Sequence, residues 1–367
     1  MPEWRFQGVR RKGCVNAQDV LGGLWMAQMR ALVGTIGGDS TLAAVTPFFR
    51  TTGSVGAVAV RKALGIEGNS FADVARATAF TLAFQDEGNL IRVYSNGLQI
   101  HDLEPCPYRG APWELCWSRD HVMYKAFLSS FSNDLEPHFD HDVEDNTTNC
   151  VLTVTKGHRV SLQGEPLEEF TTEQVRESVP ADVLSKFGVQ YAGEFVANTV
   201  LAAKQALGEQ WRSVLIPAGE HYGASLNQRI TGATRLTGID LASVGMVVEF
   251  VSSLLLQEGK EDWVQGTDWR KEITQCPFSS RPREVCEQLE AMYRGICCSM
   301  NPNLAFDHGS RMTEGHGSCM YHIGKGSGAC HKDMSEVEEP LLSLKTRLAR
   351  GEISEEDYLR LRQLLLE

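Results

Sequence analysis

The spacing of apolar positions along the chain predicts a series of elements that occurs twice in the same order. It predicts a helix over 17–33, a glycine-bounded segment, and a strongly apolar helix over 71–84. Strand-like sequence with partial alternation follows over 90–103. The second series has helices over 194–215 and 240–256 and strand-like sequence over 263–274. A Cys-Pro-aromatic motif closes each strand, because proline cannot donate to a following ladder. Pro112 and Pro282 then open new helices that run to about Phe131 and Gly295, where a missing N–H costs nothing. Two further strands finish each series, the last carrying Cys150 or Cys319. Helices followed by antiparallel strands predict an α+β fold.

Residue identities repeat along with the pattern. Cys106-Pro107-Tyr108 is matched by Cys276-Pro277-Phe278, and Pro112-Trp113-Glu114-Leu115-Cys116 by Pro282-Arg283-Glu284-Val285-Cys286, at an offset of 170. Gly53 and Gly223, Gly68 and Gly238, and Phe80 and Phe250 keep that offset. Downstream it becomes 169, pairing Tyr124 with Tyr293, Leu135 with Leu304 and Cys150 with Cys319. One register held over such a distance predicts a tandem duplication of a helix-rich unit with a small antiparallel sheet. The expected units are residues 1–158, a degenerate copy, and 159–328, the working copy, with a polar connector over 157–173 that includes a strand at 159–162. A helical tail over 333–367 follows: Leu341, Leu344 and Leu348 recur at helical spacing, Gly351 stops that helix, and Ser354 with Asp357 starts the next. Such a hairpin buries little alone and is expected to dock on the body or on a second copy, making the chain a homo-oligomer.

Charge narrows the choice of partners. A net charge of −12, with Arg10-Arg11-Lys12 as the one basic cluster, argues against nucleic acid, which needs clustered cations. No apolar run approaches a membrane span and no signal-peptide pattern opens the chain, so a cytoplasmic protein that keeps its thiols reduced is expected.

The cysteines carry the candidate chemistry. Cys106, Cys116 and Cys150 in the first copy correspond to Cys276, Cys286 and Cys319 in the second. Cys116 and Cys286 stand in the first turns of helices, where the dipole favours a thiolate. Three thiolates with Glu114, Glu284, His138 or His308 as a fourth ligand suit zinc, although the spacings are those of no zinc motif; buried structural thiols fit the same pattern, and both readings stand. In the second copy Arg311 precedes a glycine turn and Cys319, placing a guanidinium where it can hold a substrate carboxylate or pair with a neighbouring acid. The first copy has Asp142 there, which points to copy two as the working one. Three other features are weaker. Cys297-Cys298 point apart on a helix, Cys330-His331 sit in a glycine-rich stretch, and His138, Asp140, His141, Asp142, Glu144 and Asp145 form an acidic hairpin with metal-ligating side chains.

Cys276-Pro277-Phe278, the helix carrying Cys286, and the closing run from Arg311 through Thr313, Gly315 and Cys319 to Tyr321 together resemble the L-2-amino-thiazoline-4-carboxylate hydrolase family. That resemblance implies a hydrolase acting on a small carboxylate-bearing substrate with a C–N or C–S bond. Cys286 and Cys319 would be nucleophile or metal ligands, Cys276 a ligand or wall, Arg311 the carboxylate anchor, and Glu284 a general acid/base, with His308, His316 or His322 as base. The same closing strand is similar to the 4-vinyl reductase domain, which implies a non-catalytic small-molecule- or zinc-binding module. The run from Glu339 to Ser354 resembles the short C-terminal domain (SHOCT), which implies an accessory or oligomerising tail.

Overall fold

The structure is a computed structural model that describes residues 16–84, 88–103, 112–141, 150–157, 161–234, 239–264 and 268–325. The helical tail, Cys106, Cys330-His331 and the centre of the acidic hairpin lie outside the described residues, as do Arg10-Arg11-Lys12.

The fold is α+β. Its first half runs α1 (Ala17–Ile36), α2 (Gly38–Leu64), α3 (Phe71–Phe84), β1 (Asn89–Tyr94) and β2 (Gly97–Asp102). A composite helix α4 follows, α-helical over Trp113–Cys116, π-helical over Trp117–Met123 and α-helical again over Tyr124–Ser129, and then β3 (Leu135–His141) and β4 (Cys150–Lys156). A connector supplies β5 (Glu168–Thr171) and the short α5 (Thr172–Ser178). The second half runs α6 (Ala181–Leu207), α7 (Trp211–Thr234), α8 (Leu241–Leu254), β6 (Glu258–Val264), β7 (Asp268–Gln275), α9 (Arg283–Met300), β8 (Leu304–Ser310) and β9 (Cys319–Lys325).

The two antiparallel sheets share one strand order. The second is β6-β7-β9-β8; the first is β1-β2-β4-β3 with β5 added beside β1. The connector strand is therefore Glu168–Thr171, later than the 159–162 expected, and it caps the edge of the first sheet. Each long strand-like stretch resolves into a hairpin, the first turning at Ser95-Asn96.

Two long helices, α2 and α7, occupy the stretches read from sequence as a glycine-bounded segment and as the end of one helix over 194–215. That helix is in fact broken at Gly208, whose φ is +58°. Gly53 in α2 and Gly223 in α7 mark close packing rather than turns. A Cβ on Gly53 would lie 2.0 Å from the carbonyl oxygen of Met123, and one on Gly223 2.0 Å from that of Met292. Backbone meets backbone at both places, and only glycine fits.

The halves join through their first helices. α1 packs against α6 and α7 of the second half more extensively than against α2 of its own. Trp25, Phe49 and Phe195 form an aromatic cluster there, continuous with the core under the second sheet, while Ile91, Val93, Leu98 and Phe80 belong to a separate core under the first.

Candidate functional site

The second half concentrates its polar side chains between the inner face of β7-β9-β8 and α9. Alternation along β9 turns Cys319, Tyr321 and Ile323 inward, and along β8 Leu304, Phe306 and His308. Cys286 stands in the first turn of α9, which Pro282 caps, and Cys276 directly follows the end of β7. The three thiols share one electrostatic environment: Cys276 and Cys319 each act on Cys286, and Cys319 acts on Cys276.

Each sulfur accepts a hydrogen bond. The Thr313 hydroxyl donates to Cys286 at 3.5 Å, the Met312 N–H to Cys319 at 3.2 Å, and the Gln257 amide to Cys276 at 3.9 Å. Burial is the dominant influence on all three thiols. It pushes Cys276 up to about 11 and Cys286 up to about 12, and it raises Cys319 as well. The thiolate expected at the helix N-terminus is not what this environment favours, because desolvation penalises the charged form. Among the described residues no group of three or more His, Cys, Asp or Glu side chains is arranged to hold a metal ion.

Gln257, Tyr293 and Tyr321 complete the layer. Tyr293 donates to the Gln257 oxygen at 2.6 Å, and the Gln257 amide donates to Tyr321 at 2.9 Å. The sequence alone singles out Tyr293 through the repeat and Tyr321 through the closing run, but not Gln257, and it gives none of the three a place in this layer. Tyr321 and His308, shifted by 169, fall on Leu152 and Phe139, so the first half has apolar groups in both places.

His308 packs edge-on against Tyr321 with ring centroids 4.9 Å apart, and burial lowers its pKa to about 3, helped by the charge of Arg311. The ring is neutral, and among the described residues neither of its nitrogens has a hydrogen-bond partner; the buried Nε of Arg311 has none there either. Burial works against the charge of Arg311, but Glu290 and Glu314 outweigh it and hold the guanidinium protonated.

Arg311 is one link in a chain of alternating charges. Glu290 bonds both Arg311 and Arg294, and Arg294 continues to Glu220 at 2.9 Å. On the other side Glu314 joins Arg311 to Arg283, and Glu287 joins Arg283 to Arg212. The chain lines a groove of about 1110 Å³ between α7 and α9. Arg311 therefore has acidic neighbours on both sides.

The other expected site residues are placed elsewhere. Glu284 pairs with Lys204, which holds its carboxyl below the usual range and unsuited to donate a proton near neutrality. In the first half burial raises Cys116, whose neighbouring charges among the described residues are Asp120 and Arg119. Cys150 lies on β4, where its N–H donates to Asp102, and Cys297 is a fully buried free thiol. Cys298, expected to be reduced, takes part in a disulfide. His138 bonds Thr155 at 3.3 Å, His316 lies in the exposed turn after Gly315, and His322 points away from the layer toward Asp268.

No protein-family model matches the chain, and neither a curated protein nor a solved structure matches it. Among the described residues no helix is long and apolar enough to cross a membrane.

Proposed function

We propose that the chain is a duplicated small-molecule-binding module of the 4-vinyl reductase kind, whose second half takes a small carboxylate-bearing ligand. One observation carries this reading: His308 is buried and uncharged with both ring nitrogens unpartnered, and the buried Nε of Arg311 lies in the same surroundings without a partner. Buried polar atoms are nearly always hydrogen-bonded. A ligand that brings a carboxylate to Arg311 and a polar group to His308 satisfies what the protein leaves open.

Binding is favoured over hydrolysis by the state of the thiols. A nucleophilic cysteine needs a base within hydrogen-bond reach. Cys286 takes its hydrogen bond from Thr313, and burial keeps it protonated near neutral pH.

Calorimetric titration with 2-aminothiazoline-4-carboxylate tests the reading. Saturable binding without turnover, weakened at least about tenfold by His308→Phe, is expected. Turnover that disappears in Cys286→Ser would overturn the binding reading in favour of the hydrolase. Neither binding nor turnover would remove the proposed carboxylate ligand.

A further inference from the structure

The groove between α7 and α9 has a counterpart in the first half, between α2 and α4, with different chemistry. Residues 170 or 169 positions apart line both: Ser54 and Ala224, Arg50 and Glu220, Trp117 and Glu287, His121 and Glu290, Lys125 and Arg294. In the second half these positions form the alternating charge chain, which neutralises itself. In the first half each acid has been replaced, by Arg50, Trp117 and His121, while a cation remains at Lys125.

The result is a groove of about 330 Å³ that, among the described residues, contains two cations and no lining carboxylate, on a chain whose net charge is −12. Arg50 is exposed and makes no ion pair with any described residue. Lys125 bonds the carbonyl of Leu135 at 2.6 Å and pairs with Glu136, a half-exposed contact of the weak surface kind. The aromatic groups form a row. Trp113 and Trp117 meet edge to face at 5.7 Å, Trp117 stacks on His121 at 4.4 Å, and His121 lies against Phe139 at 4.5 Å. Trp113 is 57% exposed and Trp117 40%, an unusual use of two large apolar rings on a surface. The π-helical turn carries Trp117 and His121, and such turns recur at functional sites.

We infer that this groove binds planar aromatic anions, with the ring against Trp117 and the anionic group between Arg50 and Lys125. A flat π-system matches the indole face, and two cations facing a groove without an acid select negative charge. The site is independent of the layer around His308 and stands whether or not that layer binds a carboxylate.

The test uses the full chain with 2-naphthoate, and with 2-naphthylmethylammonium as a ring-matched cation, followed by calorimetry and tryptophan emission. Saturable binding of the naphthoate, at least about tenfold tighter than the ammonium compound and weakened by added salt, is expected. Arg50→Glu installs the acid that the other half carries at Glu220 and is expected to fold while losing at least about tenfold in affinity. Trp117→Ala, at an exposed position, gives a similar loss with an unchanged unfolding midpoint. Equal affinity for the two probes, no saturable binding by the wild-type chain, or unaltered binding in Arg50→Glu would each overturn the inference.

Discussion

The indole of Trp25 lies against the ring of Phe195, 170 residues further along the chain, with centroids 4.5 Å apart. Two more contacts on the same helices share that separation: Gln18 donates to the carbonyl of Gly188 at 2.8 Å, and the Thr199 hydroxyl approaches the sulfur of Met29 at 3.8 Å. Both partners advance together along the chain, so α1 and α6 run side by side in the same direction. That separation is the offset at which the residue identities repeat, so matching positions of the two halves meet one another here. Trp25 is fully buried at this seam. Trp25→Ala is expected to cost about 3–5 kcal/mol in a denaturant titration and to loosen both halves together in a single transition.

The glycines at the helix crossings give a second test. Gly53→Ala and Gly223→Ala each place a methyl on a backbone carbonyl that cannot swing aside, and each is expected to destabilise by about 1–3 kcal/mol or more. Gly34→Ala, in α1 with nothing within 4 Å of the new methyl, is expected to stabilise by up to about 1 kcal/mol. Thermal midpoints of the three variants, measured side by side, check the contrast.

These glycines also show where sequence reading fell short. α1, α3 and α8 were readable from apolar spacing, and the closing strands from their cysteines, because each buries one continuous face. α2 and α7 were not, since glycine and Pro47 or Pro217 inside a helix look like punctuation. Close approach of two backbones is a tertiary fact that a single segment does not reveal. In the site the thiols and Arg311 could be named from sequence, but their state could not. Burial opposes the thiolate, and Glu290, on a different element, decides what Arg311 meets.

His308 makes stability sensitive to acid. Its pKa falls from 6.5 in the unfolded chain to about 3 in the folded one, so between those values the unfolded state holds the extra proton. Stability is fully present above about pH 6.5 and is lost as pH falls toward 3. His308→Phe, the residue that the first half has at position 139, is expected to flatten this part of the profile. Urea midpoints between pH 4 and 7 would show it.

The thiols produce the opposite dependence at the alkaline end. Cys286 is raised from 9.0 to about 12, so the unfolded chain loses its proton first and stability falls as pH rises between those values. Alkylation by iodoacetamide at pH 8, mapped by mass spectrometry, is expected to reach Cys276 and Cys286 far more slowly in the folded than in the denatured chain. Equal rates would contradict the burial that sets their state.

The π-helical turn at Trp117–Met123 falls where the offset between the halves changes from 170 to 169, and α9 has no such turn. One surplus residue is thus taken up inside a single wide turn, leaving Leu115 and Phe127 buried on either side. Removing that residue would return the segment to the regular turn of α9, where Arg283 and Glu287 stand at the positions of Trp113 and Trp117. The wide turn therefore absorbs a change of chain length while Leu115 and Phe127 both keep their places in the core, and the indoles stand where Arg283 and Glu287 stand in the other half.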